Sequence, residues 1–285
     1  MAKKKGLGTK VRIQVKKERK RRIAVAMFSA LALLIVVLSS YFAYNFLNQS
    51  PVQTLIEPTL QFKPENPNSQ LKAAIVDHLS LTNPNQTFTE AAATTLTSAG
   101  YTVDYYSGEK VTVEFYRNLP SHRYRLIIFR VHTTGRGAFF TSEVYSTSLH
   151  VWEQLNDQIW RVSYDGNEPF YFGISPSFVK SCMNGGFNET IIVAMGCTTL
   201  QFNDMAQAFI EKGAKVYIGW TGSVSASHTD TATVRLLYYL LIDKFTIKNA
   251  IRKTMEEVGP DPISKAGSHL AALPEESWDY AIQNP

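Results

Sequence analysis

The feature that most constrains this chain is an uncharged apolar run that directly follows a strongly basic segment. Residues 1–22 carry eleven Lys and Arg side chains and one acid, Glu18. Residues 23–47 contain no charged side chain, and their aromatic residues gather at the far end. At about 1.5 Å per residue, a helix of about 20 apolar residues crosses a hydrocarbon core of about 30 Å. The run therefore predicts a single transmembrane helix at 23–47.

The basic segment also predicts an orientation. Positively charged flanks stay on the cytoplasmic side, so residues 1–22 form a basic cytoplasmic tail and the main domain lies outside. This makes the chain a single-pass protein of the cell membrane, in contact with membrane lipid through residues 1–47. A cleaved signal peptide is the alternative, but its apolar core is about 7–15 residues and ends at a small-residue cleavage site.

Charge and proline content divide the remainder of the chain. Outside residues 1–22 there are 18 basic and 23 acidic side chains, a balance of −5, so the main domain is predicted to bind no nucleic acid because it would repel the phosphate backbone. Residues 48–70 contain four prolines, which interrupt helices and keep the chain extended. We interpret 48–70 as a Pro-rich stalk and 71–285 as an extracytoplasmic domain.

Within 71–285, short apolar runs alternate with amphipathic stretches, which is typical of an α/β fold with a mostly parallel sheet flanked by helices. Strands are predicted at 73–76, 101–106, 124–131, 190–195 and 215–220. Helices are predicted at 87–98, 204–212, 229–244 and 247–258, with a helix or turn at 111–118 and a short helix from Ser175-Pro176. Residues 138–164 indicate inserted antiparallel strands and turns, and the tail after Gly259 is predicted to be irregular.

Candidate chemistry lies just after the predicted strands, because ligands of open α/β sheets gather beyond the carboxyl ends of the strands. His132, Cys197 and Thr221 occupy such positions. A thiolate is a strong nucleophile, and a nearby imidazole can take the thiol proton and return it to a leaving amine. Two neighbouring parallel strands would bring His132 and Cys197 side by side.

The segment MGCTTLQFNDMAQAFIEKGAKVYIGWTGSVSASHTD, together with the order strand, His, Gly-containing loop, strand and Gly-Cys-Thr-Thr, resembles the caspase-like cysteine peptidase clan, especially its gingipain-type and CHAT-like domains. The resemblance covers about residues 71–258. It implies a caspase-like sheet, a peptide or protein substrate, no cofactor and no metal, with Cys197 as nucleophile and His132 as base. The residues implied to form the oxyanion hole or contact substrate are Thr133, Gly135, Met195, Gly196, Trp220, Thr221, Gly222 and Ser223.

Two further sets of residues are candidates around this site. Asp77 or Asp230 could supply the negative charge of a pocket that binds a basic substrate side chain. The alternative for each is an exposed carboxylate on the protein surface with no role in binding. His78, after the first predicted strand, is a reserve base. Relatives usually carry Gly directly after the catalytic His, whereas this chain has Thr133 and Thr134 before Gly135.

Two other interpretations stay open. Cys182 and Cys197 could form a disulfide in an inactive caspase-like surface receptor or interaction module. A doubly wound ligand-binding domain would instead use Ser223, Ser225 and Ser227 for hydrogen bonds. The sequence contains no GxxxxGK[ST], GxGxxG after a strand, HExxH, CxxC or GxSxG motif, so nucleotide, zinc-hydrolase and serine-hydrolase functions lack their required parts.

Overall fold

The computed structural model describes residues 34–35, 37–40, 60–62, 71–262, 264 and 267–282, with 60–62 described in their backbone alone. The chain divides into a unit Met1–Leu55 and a unit Ile56–Pro285. The described residues of the first unit are helical. No helix formed by the described part of the chain has the length and apolar character needed to cross a membrane. The predicted basic tail lies outside the described residues, as do most of the predicted transmembrane helix and stalk.

The described residues of the second unit form ten strands: β1 (Leu60–Phe62), β2 (Lys72–Asp77), β3 (Thr102–Ser107), β4 (Leu126–Arg130), β5 (Phe139–Val144), β6 (Ile159–Val162), β7 (Tyr171–Ile174), β8 (Ile191–Ala194), β9 (Val216–Trp220) and β10 (Leu270–Leu273). Seven of them make one sheet in the order β1-β3-β2-β4-β8-β9-β10. The five strands from β3 to β9 run parallel, and β1 and β10 are antiparallel additions at the two edges. This confirms the predicted mostly parallel α/β sheet.

Both edge strands differ from the sequence predictions. β1 lies inside the predicted stalk, where it pairs with β3. β10 lies in the tail that was predicted to be irregular, where it pairs with β9. Leu270 and Ala272 are buried and their neighbours are half-buried, the alternation expected of a strand that covers one side of a sheet edge.

The same unit contains seven α-helices among its described residues: α1 (Gln86–Ser98), α2 (Val113–Asn118), α3 (Val151–Leu155), α4 (Pro176–Cys182), α5 (Asp204–Glu211), α6 (Ala226–Leu241) and α7 (Ile247–Val258). Side-chain caps explain where several of them begin. Asn85 accepts a hydrogen bond from the Phe88 N–H at 3.1 Å, and Thr112 accepts one from the Phe115 N–H at 3.0 Å. Such caps satisfy N–H groups that the first helical turn leaves without a partner.

Successive residues of each strand point to opposite faces of the sheet, and a separate core covers each face. The core on the first face joins α2, α4 and α5 to the strands through Phe115, Phe178, Phe209, Val76, Phe129 and Ala194. The core on the second face joins α1, α6 and α7 to the strands through Leu96, Leu236, Ala250, Ile75, Ile128 and Val193. These two faces decide which side chains can meet at the carboxyl edge.

A second, smaller sheet lies between β4 and α4 in the sequence. Its strands pair antiparallel in the order β5-β7-β6, as predicted for residues 138–164, although β7 extends the sheet beyond that range. The prediction of strands and turns differs from the structure at α3, a short helix that carries Trp152. The Trp152 side chain is exposed, so it does not organise the insertion.

Candidate active site

His132 and Cys197 follow neighbouring parallel strands. β4 and β8 pair with Phe129 opposite Ala194, and the Met195 N–H donates to the Phe129 carbonyl at 2.8 Å. His132 and Cys197 lie just beyond the paired residues, two residues after the end of β4 and three after the end of β8. Cys197 packs against the core of the second face, whereas the His132 ring lies against the rings of His78, Phe140 and Tyr164. The structure thus places both predicted residues at the carboxyl edge of the sheet, after neighbouring strands.

The loops after these strands approach each other closely at Gly196. A Cβ added to Gly196 would lie 2.6 Å from the Val131 carbonyl oxygen and 2.7 Å from Cγ2 of Thr133, so no larger residue fits without movement. The Thr133 hydroxyl donates to the Cys197 carbonyl, and the Thr198 hydroxyl donates to the Thr134 carbonyl at 3.1 Å. Hydrogen bonds from both sides therefore hold the two loops together.

Thr198, directly after Cys197, has a φ of 56°. This left-handed conformation is rare for a β-branched residue, and such conformations are found often in active sites. The Thr198 N–H donates to the Gly222 carbonyl at 2.8 Å, which ties the Cys197 loop to the loop that follows β9. The neighbouring structure thus maintains an unfavourable backbone conformation next to the thiol.

The His132 imidazole lies among aromatic rings, with one nitrogen directed to a hydroxyl. Its Nε2 is 2.8 Å from Oγ1 of Thr82, and its ring centroid is 4.7 Å from that of Tyr164. Burial lowers the pKa of His132 to about 4, and the positive charge of Arg130 adds to the effect. The imidazole is therefore neutral at pH 7, and the same shift makes it a weaker proton acceptor than an exposed histidine.

The Cys197 thiol is bonded to the backbone of Val224. Sγ donates to the Val224 carbonyl at 3.2 Å and accepts from the Val224 N–H at 3.5 Å. In this structure the thiol and the imidazole therefore have different hydrogen-bond partners, and the Cys-His dyad stays a prediction. Thr82 and Val224 were missed by the sequence analysis, because neither has a residue type or spacing that identifies it.

The alternative of a Cys182–Cys197 disulfide is wrong for this structure, since both cysteines are free. Cys182 ends α4 and packs against the core of the first face, whereas Cys197 packs against the core of the second face. The sheet lies between the two cores, which explains why a short sequence separation does not bring the thiols together.

Asp77 and Asp230 belong to a buried ion cluster centred on Arg130. The Arg130 guanidinium contacts Oδ1 of Asp77 at 2.8 Å and both oxygens of Asp230, at 2.7 and 2.8 Å. All three residues are buried, so the interpretation of the carboxylates as exposed surface charges is wrong. Burial raises the pKa of Asp77 against the opposing effect of Arg130. A substrate cation that used these carboxylates would have to compete with the guanidinium.

The other predicted contact residues fall into three environments. Met195 and Trp220 are buried in the core of the second face, so they do not line an open pocket here. The Trp220 indole N–H donates to the Thr229 hydroxyl, which donates to the Met195 carbonyl. Thr133, Gly196 and Gly222 meet around the Cys197 loop, whereas Gly135 lies in an exposed turn.

The loop after β9 is hydrogen-bonded to the segment after Gly259, which the sequence analysis predicted to be an irregular tail. The Ser225 N–H and hydroxyl donate to Oδ2 of buried Asp261 at 2.6 and 2.7 Å. Thr221 bonds through its N–H to the His269 carbonyl at 3.0 Å, and Ser223 is exposed. Ser225 is therefore engaged inside the protein, which leaves the proposed Ser223, Ser225 and Ser227 ligand set incomplete.

His78, the reserve base, is fully buried against His132, with ring centroids 5.9 Å apart. Burial and the nearby His132 lower the pKa of His78 to about 4. A fully buried ring cannot reach a substrate, so this structure favours His132 as the base. Among the described residues, no three His, Cys, Asp or Glu side chains converge in a way that could hold a metal ion.

Comparisons with known proteins give structural similarity alone. No model of a protein family matches the chain, and no curated protein matches it. The chain is similar to the crystal structure of the Arg-specific cysteine proteinase gingipain R, with a TM-score of 0.46 and 12% identity over 75% of this chain and 48% of that chain. It therefore spans about half of the gingipain chain. It is also similar to a flavodoxin from Streptococcus pneumonia TIGR4, with a TM-score of 0.26 and 14% identity over 51% of this chain and 78% of that chain. The α/β class rests on the strand order itself.

Proposed function

We propose that this protein is a cysteine peptidase in which Cys197 attacks the scissile carbonyl and His132 transfers the proton. The observation that supports the proposal is that a thiol and an imidazole that is neutral at pH 7 follow adjacent parallel strands, at the carboxyl edge of the sheet. Nucleophile and base in this relation are what acyl transfer requires. The substrate class is a peptide or protein.

In the proposed reaction, His132 accepts the Cys197 proton as the sulfur adds to the carbonyl carbon. The tetrahedral oxyanion is stabilised by backbone N–H groups, for which Cys197 and Thr133 are the candidates. Thr133 and Phe139 form an isolated antiparallel β-bridge, and the N–H groups of Thr134 and Phe140 donate its two hydrogen bonds. The Thr133 N–H is therefore not used in this bridge. His132 then protonates the leaving amine, and water hydrolyses the thioester.

One local change is needed before this chemistry. The thiol must exchange its bond with the Val224 backbone for one with the imidazole, which requires movement of the loop after β9 or rotation of the side chain. The hydrogen bond between Thr82 and Nε2 leaves the other ring nitrogen, Nδ1, to take the thiol proton. Thr82 is then the residue that orients the base.

The second candidate function is a non-catalytic interaction module with the same fold. The separate hydrogen-bond partners of the thiol and the imidazole favour it, as does the Thr133-Thr134 insertion before Gly135. For either function we also propose that residues 23–47 anchor the chain in a membrane, with residues 1–22 cytoplasmic and the domain from residue 71 outside. The charge asymmetry and the uncharged run support this orientation.

Thiol reactivity distinguishes the two candidates without knowledge of the substrate. We expect iodoacetamide at pH 7 to alkylate Cys197 in the full chain faster than Cys182, and His132→Gln to slow the reaction at Cys197 alone. With a mixed peptide library analysed by mass spectrometry, Cys197→Ser should lower cleavage by about 10³-fold or more, since the nucleophile is lost. Cys182→Ser is the matched control and should cleave normally. Equal reactivity of both thiols, insensitive to His132→Gln, would overturn the peptidase proposal and favour the interaction module.

A further inference from the structure

A cleft of about 480 Å³ opens beside the loops that follow His132 and Cys197. Its walls include the start of α4 and the start of α5, two helices that pack on the first face of the sheet. The Cys197 side chain packs on the second face. The cleft is therefore a separate site from the one in which a scissile bond would meet the thiol. Its lining includes Arg136, Asp157, Trp160, Pro176, Phe202 and Asp204.

In the described lining of this cleft, Arg136 is one of two basic residues, and Lys180 is the other. Its guanidinium centre lies 4.7 Å from the centroid of the Trp160 ring, and the indole N–H donates to Oδ1 of Asp157 at 2.7 Å. The ring is thus fixed, and one face of the guanidinium is stacked on it. Within the described part of the chain, no carboxylate lies within 4.0 Å of the Arg136 side-chain nitrogens. A stacked Arg of this kind presents its N–H edge for bidentate binding of a planar anion.

The other charges in the cleft limit what it can bind. Lys180 is paired with Glu211 at 2.9 Å, so it offers less charge to a ligand. Asp204 lies in the first turn of α5, where a negative charge is favourable and a second anionic group would be repelled. Asp157 also lines the cleft, and its carboxylate accepts from the Trp160 indole N–H. With two acidic residues in the lining, a ligand that has a single carboxylate next to Arg136 suits the cleft better than a dianion.

The cleft also presents apolar surface. Phe202 is 48% exposed although it is a large aromatic residue, and Pro176 lies in the same wall. An exposed aromatic side chain inside a concave, partly polar site is typical of a binding site, where it covers an apolar group of the ligand. Arg136, which lies over the Trp160 ring, and the exposed ring of Phe202 thus suit two different chemical groups of a ligand.

We propose that this cleft binds a peptide segment that carries one carboxylate beside an apolar or aromatic side chain. The carboxylate pairs with Arg136, and the apolar group packs against Phe202 and Pro176. The carboxylate comes from an acidic side chain or from a peptide C-terminus, which share this chemistry. Binding here is independent of the proposed peptide-bond cleavage, because the cleft and the thiol belong to opposite faces.

The test measures binding of unlabelled, N-acetylated peptides to the full chain with Cys197→Ala, by isothermal titration calorimetry. The three probes are Gly-Glu-Phe-Gly-amide, Gly-Gln-Phe-Gly-amide and Gly-Gln-Phe with a free C-terminus. At least one carboxylate peptide should bind about tenfold or more tightly than the neutral peptide, the effect of about one charge-assisted hydrogen-bonded pair. The tighter of the two identifies the source of the carboxylate.

Arg136→Gln should remove this tenfold difference, and Phe202→Ala should weaken all three peptides. The matched control is Arg161→Gln, since Arg161 also stacks on an aromatic ring, that of Phe170 at 3.9 Å, but does not line the cleft. The proposal is overturned if the neutral peptide binds as tightly as both carboxylate peptides, if Arg136→Gln keeps the difference, or if no probe binds at 1 mM. Carboxylate-dependent binding in a protein whose Cys197 fails the alkylation test would contradict the peptidase alone.

Discussion

The Arg130 side chain is 1% exposed and makes charged hydrogen bonds to Asp77 and Asp230. It also donates to the Asn83 carbonyl at 2.8 Å, so its N–H groups have partners on three sides. Removing a charge from water is costly unless such partners compensate it. Arg130 ends β4 two residues before His132, so the cluster fixes the end of the strand that leads to the imidazole.

At the scale of single residues, we expect Arg130→Leu to destabilise the protein by about 3–5 kcal/mol, because it leaves two buried carboxylates without their cation. Urea unfolding of the full chain, followed by circular dichroism, measures the change. The control is Arg235→Leu, which breaks an exposed ion pair with Glu257 and should cost under about 1 kcal/mol. Similar losses for the two variants would show that the buried cluster contributes little.

At the scale of elements, the sequence was most informative where buried strands are continuous. The run 124–131 predicted β4, and the predicted strand ends place His132 and Cys197 at the same edge of the sheet, where the structure also has them. Contact between the two side chains stays a prediction. β10 could not be predicted because its four residues become a strand only by pairing with the free edge of β9. The ion cluster was missed for a similar reason, since an Arg at the end of an apolar run does not reveal which distant carboxylates will reach it.

The close approach of the loops after β4 and β8 gives a second prediction. Gly196→Ala should destabilise the protein by about 1–3 kcal/mol, because the new methyl group would overlap the Val131 carbonyl. Gly135→Ala is the matched control, since nothing lies within 4 Å of its added Cβ. It should change stability by less than about 0.5 kcal/mol. Equal stability of both variants in thermal unfolding would mean that the loops do not need this glycine.

At the scale of the whole molecule, His78 couples folding to pH. Its pKa is lowered to about 4 in the folded state from the ordinary value of 6.5, so the folded protein prefers the neutral ring. The contribution of His78 to stability is complete above pH 6.5 and is lost as pH falls toward 4, because the unfolded chain binds the proton more tightly. Near pH 5 the expected slope from this residue is about 1 kcal/mol per pH unit.

We therefore expect His78→Phe to flatten the acid side of the stability profile by about 1 kcal/mol per pH unit near pH 5. Phenylalanine suits this position, because the ring already packs beside Phe140 and Tyr164. Urea unfolding at pH 7.0, 5.5 and 4.5 gives the slope for the wild type and for His78→Phe. An unchanged slope in His78→Phe would contradict a buried neutral imidazole.

The buried ion cluster also links three positions that are far apart in the sequence. Asp77 belongs to β2, Arg130 to β4 and Asp230 to α6. The two ion pairs of Arg130 therefore connect two strands of the sheet to a helix that packs on it. Losing any one of the three residues leaves the others buried without a charged partner. Replacing all three by apolar residues removes every charge at once. Proteins that descend from this sequence are therefore expected to keep all three residues or to lose all three together. Single replacements at these positions would be destabilising and would not accumulate as neutral changes.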